Sequence, residues 1–142
     1  MSNIDFNLQS IGGLISAGRL RVPRNQRDYS WEVEHALDLC NDIGEALRTS
    51  KPSYFLGTIV LTTSRGQVLE VVDGQQRLAT MTMILAAIRD IFEGRGESSM
   101  VTSIESDFLF RIDRATEAKV PKLSLNVKDQ ELFRNGVLLN PD

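Results

Sequence analysis

The chain has one cysteine and one histidine in 142 residues. A single thiol, Cys40, excludes an internal disulfide and a cysteine-based zinc site, and it fits a reducing compartment. A lone His35 excludes a histidine-rich metal centre. No apolar run approaches the length of a bilayer crossing, and the first residues lack the basic and apolar regions of a secretion signal. There is no Gly-x-x-x-x-Gly-Lys-Ser/Thr run, so this is not a P-loop enzyme, and there is no histidine-containing nuclease motif. Positive charge is not in excess either. The formal net charge of −3 excludes a globally basic nucleic-acid binder and leaves room for a local basic patch. Repeats and low-complexity segments are missing. These absences predict a soluble, cytoplasmic protein with no membrane association. The length and the 42% hydrophobic and 25% charged content suit one domain over 1–142.

The most informative stretch present is Val71-Val72-Asp73-Gly74-Gln75-Gln76-Arg77-Leu78. The run 67–72 has the β-branched content of a buried strand. From Leu78 to Phe92, apolar residues fall at Leu78, Met81, Leu85, Ile88 and Ile91 or Phe92, which is helical spacing. Asp73 to Arg77 then form a strand-to-helix turn, where free N–H groups and the helix dipole favour an anion such as phosphate. A plain cap is the other reading: Asp73 as N-cap, Gln76 completing a capping-box-like pair, and Gly74 relieving the backbone. Capping does not account for Gln75 or Arg77, and an arginine fork suits phosphate or carboxylate.

Arg19 to Trp31 is the second such stretch, with Arg19, Arg21, Arg24 and Arg27 inside nine residues of an acidic chain. Leu20 and Val22 alternate with Arg19 and Arg21 as in a short strand, and Pro23 turns the chain. Salt bridges with acidic helices are expected for Arg19 and Arg21, and a ligand role for Gln26 and Arg27. Trp31 reads as a core anchor, with base stacking as the alternative.

Around these, a helix is expected over 4–18, stopped by Gly18. A second, N-capped by Ser30, is expected from Glu32 to Leu47, with Val33, Ala36 or Leu37, Cys40, Ile43 and Leu47 as its apolar stripe. On this reading Cys40 is a buried filler and His35 is solvent-exposed. Tyr54–Thr63 is expected as a strand joined by a turn at Ser64–Gly66 to the strand at 67–72, with Gly57 marking a bulge or a ligand contact and lying opposite Asp73. A flexible loop at 93–99, a helix at about 100–111, an irregular polar stretch, a strand at 121–127 and a short helix over 129–133, begun at Asn126 or Lys128, complete the chain. It ends in an apolar stretch, as an N-terminal fragment of a longer protein would.

Three blocks in order carry a family resemblance: Val22-Pro23-Arg24-Asn25-Gln26-Arg27-Asp28-Tyr29-Ser30-Trp31, Tyr54-Phe55-Leu56-Gly57, and Val72-Asp73-Gly74-Gln75-Gln76-Arg77-Leu78-Ala79-Thr80. Over its first two thirds the chain resembles the N-terminal domain of GmrSD-type restriction proteins (domain of unknown function 262). Asn25 stands where many members carry an aromatic residue, and members usually continue well past this length. The resemblance implies an α+β fold, a small ParB/sulfiredoxin-like mixed sheet with a hairpin, flanked by helices. It also implies a nucleotide-binding, NTP-hydrolysing regulatory domain of a prokaryotic modified-DNA restriction or anti-phage system.

Carried over to these positions, Asp73, Gln76 and Arg77 are the expected catalytic residues. Gln26, Arg27, Gly57, Gly74, Gln75 and Arg77 are expected to bind nucleotide phosphates, and Asp73 to hold Mg²⁺. DNA and a nuclease domain or partner are expected in the full-length system. The alternative is a non-catalytic ParB-like module that binds DNA or a partner through its arginine loop.

Overall fold

The β-branched run before the Asp-Gly turn forms an inner strand of a small sheet. In this computed structural model, which describes residues 3–17 and 19–139, that strand is β3 (Val68–Asp73). β2 (Val60–Thr63) lies antiparallel to it, and β1 (Arg19–Arg21) lies parallel on its other side. β6 (Leu123–Ser124) extends the sheet beyond β1, giving the mixed order β2-β3-β1-β6. β4 (Phe110–Ile112) and β5 (Lys119–Pro121) form a separate antiparallel pair. Helices α1 (Ile11–Ala17), α2 (Val33–Arg48), α3 (Gln75–Gly94), α4 (Ser98–Ile104) and α5 (Val127–Phe133) flank these sheets. π-helical turns at Glu105–Leu109 and Arg134–Leu138 prolong α4 and α5. The expected α+β class, with its mixed sheet and hairpin, is what the structure shows.

The β2–β3 hairpin turns through Gly66 and Gln67, both at positive φ, and Ser64 N–H closing on Val68 O at 2.9 Å. Several boundaries differ from the sequence reading. The first helix begins at Ile11, where Ser10 Oγ accepts from Gly13 N–H, and 3–10 has no regular structure. Gly18, its expected stop, lies outside the described residues. The strand expected from Tyr54 starts only at Val60, because Gly57 takes φ +122° and breaks the extended path. Gly57 is therefore outside the strand, and Val60 is the residue paired with Asp73.

The helix expected over 100–111 starts at Ser98 and gives way to the π-turn and β4. The polar stretch after Arg111 is the β4–β5 hairpin, nucleated by Asp113 Oδ1 accepting from Ala115 and Thr116 N–H. The strand expected over 121–127 is split between β5 and β6. Asn126 then caps α5 by accepting from Asp129 N–H at 3.0 Å.

Helix faces depart from simple periodicity for physical reasons. The buried face of α3 is Leu78, Ala79, Thr82, Ala86 and Arg89, whereas Ile88 and Ile91 are exposed. Thr82 is compatible with the interior because its hydroxyl bonds back to Leu78 O at 2.9 Å. Arg89, 1% exposed, donates to the Val137 and Leu138 carbonyls and faces Asp90 and Glu105. It thereby ties α3 to the ends of both π-helical turns. On α2 the buried residues are Leu39 and Ala46, while Val33 and Leu47 are 73% and 76% exposed. Cys40, expected inside, is exposed. The core joins Ile15, Leu20, Val22, Val71, Leu78 and Leu123 with Leu109, Phe110, Phe133 and Leu138. Among the described residues no helix is long and apolar enough to cross a membrane.

Replacing Arg89 with Ala removes the charge that answers two carbonyls and two carboxylates. Equilibrium urea unfolding should show a loss of about 3 kcal/mol. Ile91→Ala, on the exposed side of the same helix, should change stability by less than about 1 kcal/mol.

Candidate functional site

β3 passes into α3 with one residue between them. That residue, Gly74, has φ +93° and ψ 9°, the left-handed conformation that costs a side chain strain. It is also buried, and a Cβ there would lie 2.9 Å from the Ile59 side chain. Gly74 is therefore the N-cap, and no side chain caps the helix. This overturns the Asp73–Gln76 capping reading. Asp73 ends the strand with its side chain exposed, and the first turn, Gln75 to Arg77, keeps its N-terminal polarity uncompensated by a carboxylate bond.

Gln76 is buried and points at the arginine-rich loop. Its Oε1 accepts from Ser30 N–H (2.9 Å) and Trp31 N–H (3.2 Å), and its Nε2 donates to Asp28 O (3.2 Å). One amide thus holds both directions of the backbone from 28 to 31. Tyr29 adds a hydroxyl contact with Thr80 Oγ1 at 2.9 Å, and Thr80 in turn donates to Gln76 O. From the other side, Asp129 accepts from Tyr29 N–H at 2.7 Å, while Asn126 and Lys128 donate to the Asp28 carboxylate at 2.7 and 2.9 Å. Bonding to Lys128, then to Asn126, holds the Asp28 carboxyl below its usual range against a smaller opposing effect of burial.

Arg77 is half-buried, and its Nη1 donates to Thr58 O at 3.2 Å. Its guanidinium lies over Gly57, where a Cβ would come 2.8 Å from Cζ. The glycine is thus explained by the arginine that rests on it. Tyr54 stands near this group, its hydroxyl donating to Asp42 Oδ2 at 3.1 Å. Burial, then Asp42, push the Tyr54 phenol up, with the Arg77 charge opposing them. Tyr54, Asp42 and Thr58 join the neighbourhood of Arg77 without any signal from spacing. Their proximity depends on the path of the irregular segment before β2.

The structure brings Asp73, Gly74, Gln75, Gln76, Arg77 and Gly57 together at one end of β3. Gln26 and Arg27 lie just upstream of the clamped loop. Gln26 N–H closes a turn on Pro23 O, and the Arg27 side chain is exposed, with no hydrogen bond or ion pair among the described residues. Arg21 forms its ion pair with Glu70 of the neighbouring strand at 2.6 Å rather than with an acidic helix. Trp31 is half-buried outside the main apolar cluster, its ring 5.8 Å from that of His35. Glu32, not Ser30, is the N-cap of α2, and His35 Nδ1 accepts from Glu32 N–H at 3.1 Å. His35 is exposed as expected, with this local bond in addition. A concavity of about 490 Å³, lined by Leu125, Gln130, Glu131, Arg134 and Asn135, contains none of these residues.

Chemically, the turn offers an uncapped helix N-terminus, a guanidinium held at its side and one exposed carboxylate. The first two attract an oxyanion, and the carboxylate opposes one unless a water or cation lies between them. Among the described residues no group of three His, Cys, Asp or Glu is placed to hold a metal. A single carboxylate fits Mg²⁺ only when phosphate oxygens and water supply the remaining ligands.

The family model for the GmrSD restriction endonuclease N-terminal domain matches residues 8–140, and the chain belongs to that family. No curated protein matches it.

Gln76→Ala should leave α3 intact and release the loop. Hydrogen exchange of the Ser30 and Trp31 amides should accelerate by tenfold or more, for a cost of about 1–3 kcal/mol. Acid should act on the same loop through Asp28. Its folded pKa lies below the unfolded value, so its contribution is complete above about pH 4 and is lost as pH falls through the lower folded value. Asp28→Asn should flatten that acid limb of a stability-versus-pH curve.

Proposed function

We propose that this chain is a nucleotide-binding domain that hydrolyses nucleoside triphosphates and regulates a modified-DNA restriction or anti-phage system. DNA and a nuclease domain or partner are its counterparts in the full system. The mixed sheet with its hairpin is in keeping with a ParB/sulfiredoxin-like ancestry. The observation that carries the reading is the uncapped N-terminus of α3 with Arg77 held beside it and the Asp73 carboxylate at its edge. A site for a nucleic-acid backbone alone gains nothing from that carboxylate, which repels phosphate unless it has a water or a cation to hold.

In this reading the phosphates lie against the N–H groups of Gln75 to Arg77. Arg77 leaves Thr58 O for a phosphate oxygen, and Arg27 approaches from the loop, so that both neutralise the charge that builds as the terminal phosphoryl group departs. Asp73 orients the attacking water and accepts its proton as the new oxygen–phosphorus bond forms and the bond to the leaving diphosphate breaks. Gln75 positions that water. Gln76 acts as a positioning residue, because its amide is already bonded to Asp28, Ser30 and Trp31. Gly57 and Gly74 leave room for Arg77 and for the turn. Mg²⁺ bound with the nucleotide, near Asp73, would supply further charge neutralisation.

Thermal unfolding with each nucleoside triphosphate, with and without Mg²⁺, tests this. At a hundred times its dissociation constant a ligand should stabilise the protein by about 2.7 kcal/mol, a midpoint shift of about 4 °C. The shift should vanish in Arg77→Ala. In Asp73→Asn it should lose its Mg²⁺ dependence, and turnover should fall by at least about a hundredfold. A cooperatively unfolding protein that no nucleotide stabilises, but that duplex DNA stabilises without metal, would sink the hydrolase reading.

A further inference from the structure

Helix α2 carries two apolar faces, and the domain uses only one of them. Ala36, Leu39, Ile43 and Ala46 are its buried and half-buried positions, although none of them joins the main apolar cluster. Val33, Leu37, Cys40, Gly44 and Leu47 recur at spacings of four, three, four and three residues, which makes one continuous stripe beside that face. All five are exposed, with Val33, Leu37 and Leu47 at 73%, 54% and 76%. Apolar stripes of this spacing are the seams along which helices pair. Gly44 sits well inside the helix, where glycine weakens it, and a Cβ there would meet nothing within 4 Å. The space above it is room for a side chain from another molecule.

The charges beside the stripe identify that molecule. Helical geometry puts Asp38, Asp42 and Glu45 on the far side of α2, away from the stripe. The charged residues on its open border are Glu34 in the first turn and Arg48 in the last. Neither makes an ion pair or a side-chain hydrogen bond among the described residues. A uniformly acidic border would suit a basic helix, and a basic border an acidic one. A border negative at one end and positive at the other is its own complement when a second copy lies antiparallel.

We propose that the stripe is the interface of a twofold dimer, with α2 of one copy lying antiparallel on α2 of another. With the axis beside Cys40, Val33 faces Leu47 of the partner subunit, and Leu37 fills the space over the partner's Gly44. Glu34 meets the partner's Arg48, and symmetry repeats each contact. One helix face is smaller than the roughly 800 Å² per partner of a standard interface, so the expected dissociation constant is about 10–100 μM. The loop clamped by Gln76 leads straight into α2, so the dimer carries two such loops, one at each end of the paired helices.

Sedimentation equilibrium from about 1 μM to 1 mM tests this and should show a monomer–dimer equilibrium. Leu47→Gln, at a position that the fold leaves in solvent, should weaken association at least about tenfold. Glu34→Arg and Arg48→Glu should each weaken it about tenfold by setting like charges together, and an equimolar mixture of the two variants should associate as tightly as the parent chain. Damage to α2 within a single chain would not be repaired by mixing. A short bismaleimide should join two chains through Cys40, the only thiol, in the parent and not in Leu47→Gln. A chain that stays monomeric at the highest concentration overturns the proposal. Free labelling of Cys40 in that monomer leaves the face to a different partner, and protection of Cys40 shows a segment of the same chain covering it. A dimer indifferent to Leu47→Gln, or variants that mixing does not restore, overturns the proposal as well.

Discussion

The arrangement of the candidate site depends on one side-chain amide. Gln76 emerges from the first turn of α3 and satisfies backbone groups on both sides of Tyr29, so residues 28–31, just downstream of Arg27, are fixed relative to the helix that carries Arg77. A buried amide bonded to three main-chain groups is a strict geometric constraint, since shifting the loop leaves polar groups unpaired in a dry place. The turn itself is fixed by Gly74. Together these residues make the turn at the end of β3 a product of backbone geometry, with Asp73 and Arg77 placed around it.

A second level of organisation lies in how the domain treats charge in its interior. Arg89 and Lys122 act as bridges between segment ends, each satisfying carbonyls that a helix or turn would leave bare. The core is consequently less apolar than its size suggests, and much of its order comes from directional bonds. That gives the helical elements defined ends without long loops. It also leaves α2, which turns Leu39 and Ala46 inward and Val33, Leu37 and Leu47 outward, as the least enclosed of the long elements.

Much of this was legible in the sequence. The strand–turn–helix at 68–94, the hairpin before it and the short β1 follow from local rules on β-branched runs and turn residues, whereas the start of α5 is narrowed only to Asn126 or Lys128. The family resemblance rests on the blocks 22–31, 54–57 and 72–80, of which the last lies within that strand–turn–helix. What escaped is non-local. Thr82 and Arg89 look like breaks in an apolar stripe until their partners at Leu78 and at Val137–Leu138 are known. Gly57 read as a bulge or a ligand contact because the arginine it accommodates is twenty residues away in sequence. The β4–β5 hairpin was hidden by polar residues that a two-stranded sheet, open on one face, accepts. Gln76 was read as a cap or a catalytic group, and only the folded loop reveals its backbone partners.

The network around Asp28 has a consequence for how the chain is made. Asp28 bonds to Asn126 and Lys128, and Tyr29 to Asp129, across separations of 98 and 100 residues. Contacts of that span form late, because the entropy of closing the intervening chain is lost before they are gained. During synthesis from the N-terminus, the β2–β3 hairpin and the first turn of α3 can form while the arginine loop is held from one side alone. Its final shape waits until residue 129 has left the ribosome. The site therefore matures after most of the domain around it, and a nascent chain passes through a stage in which the turn is formed and the loop is still open.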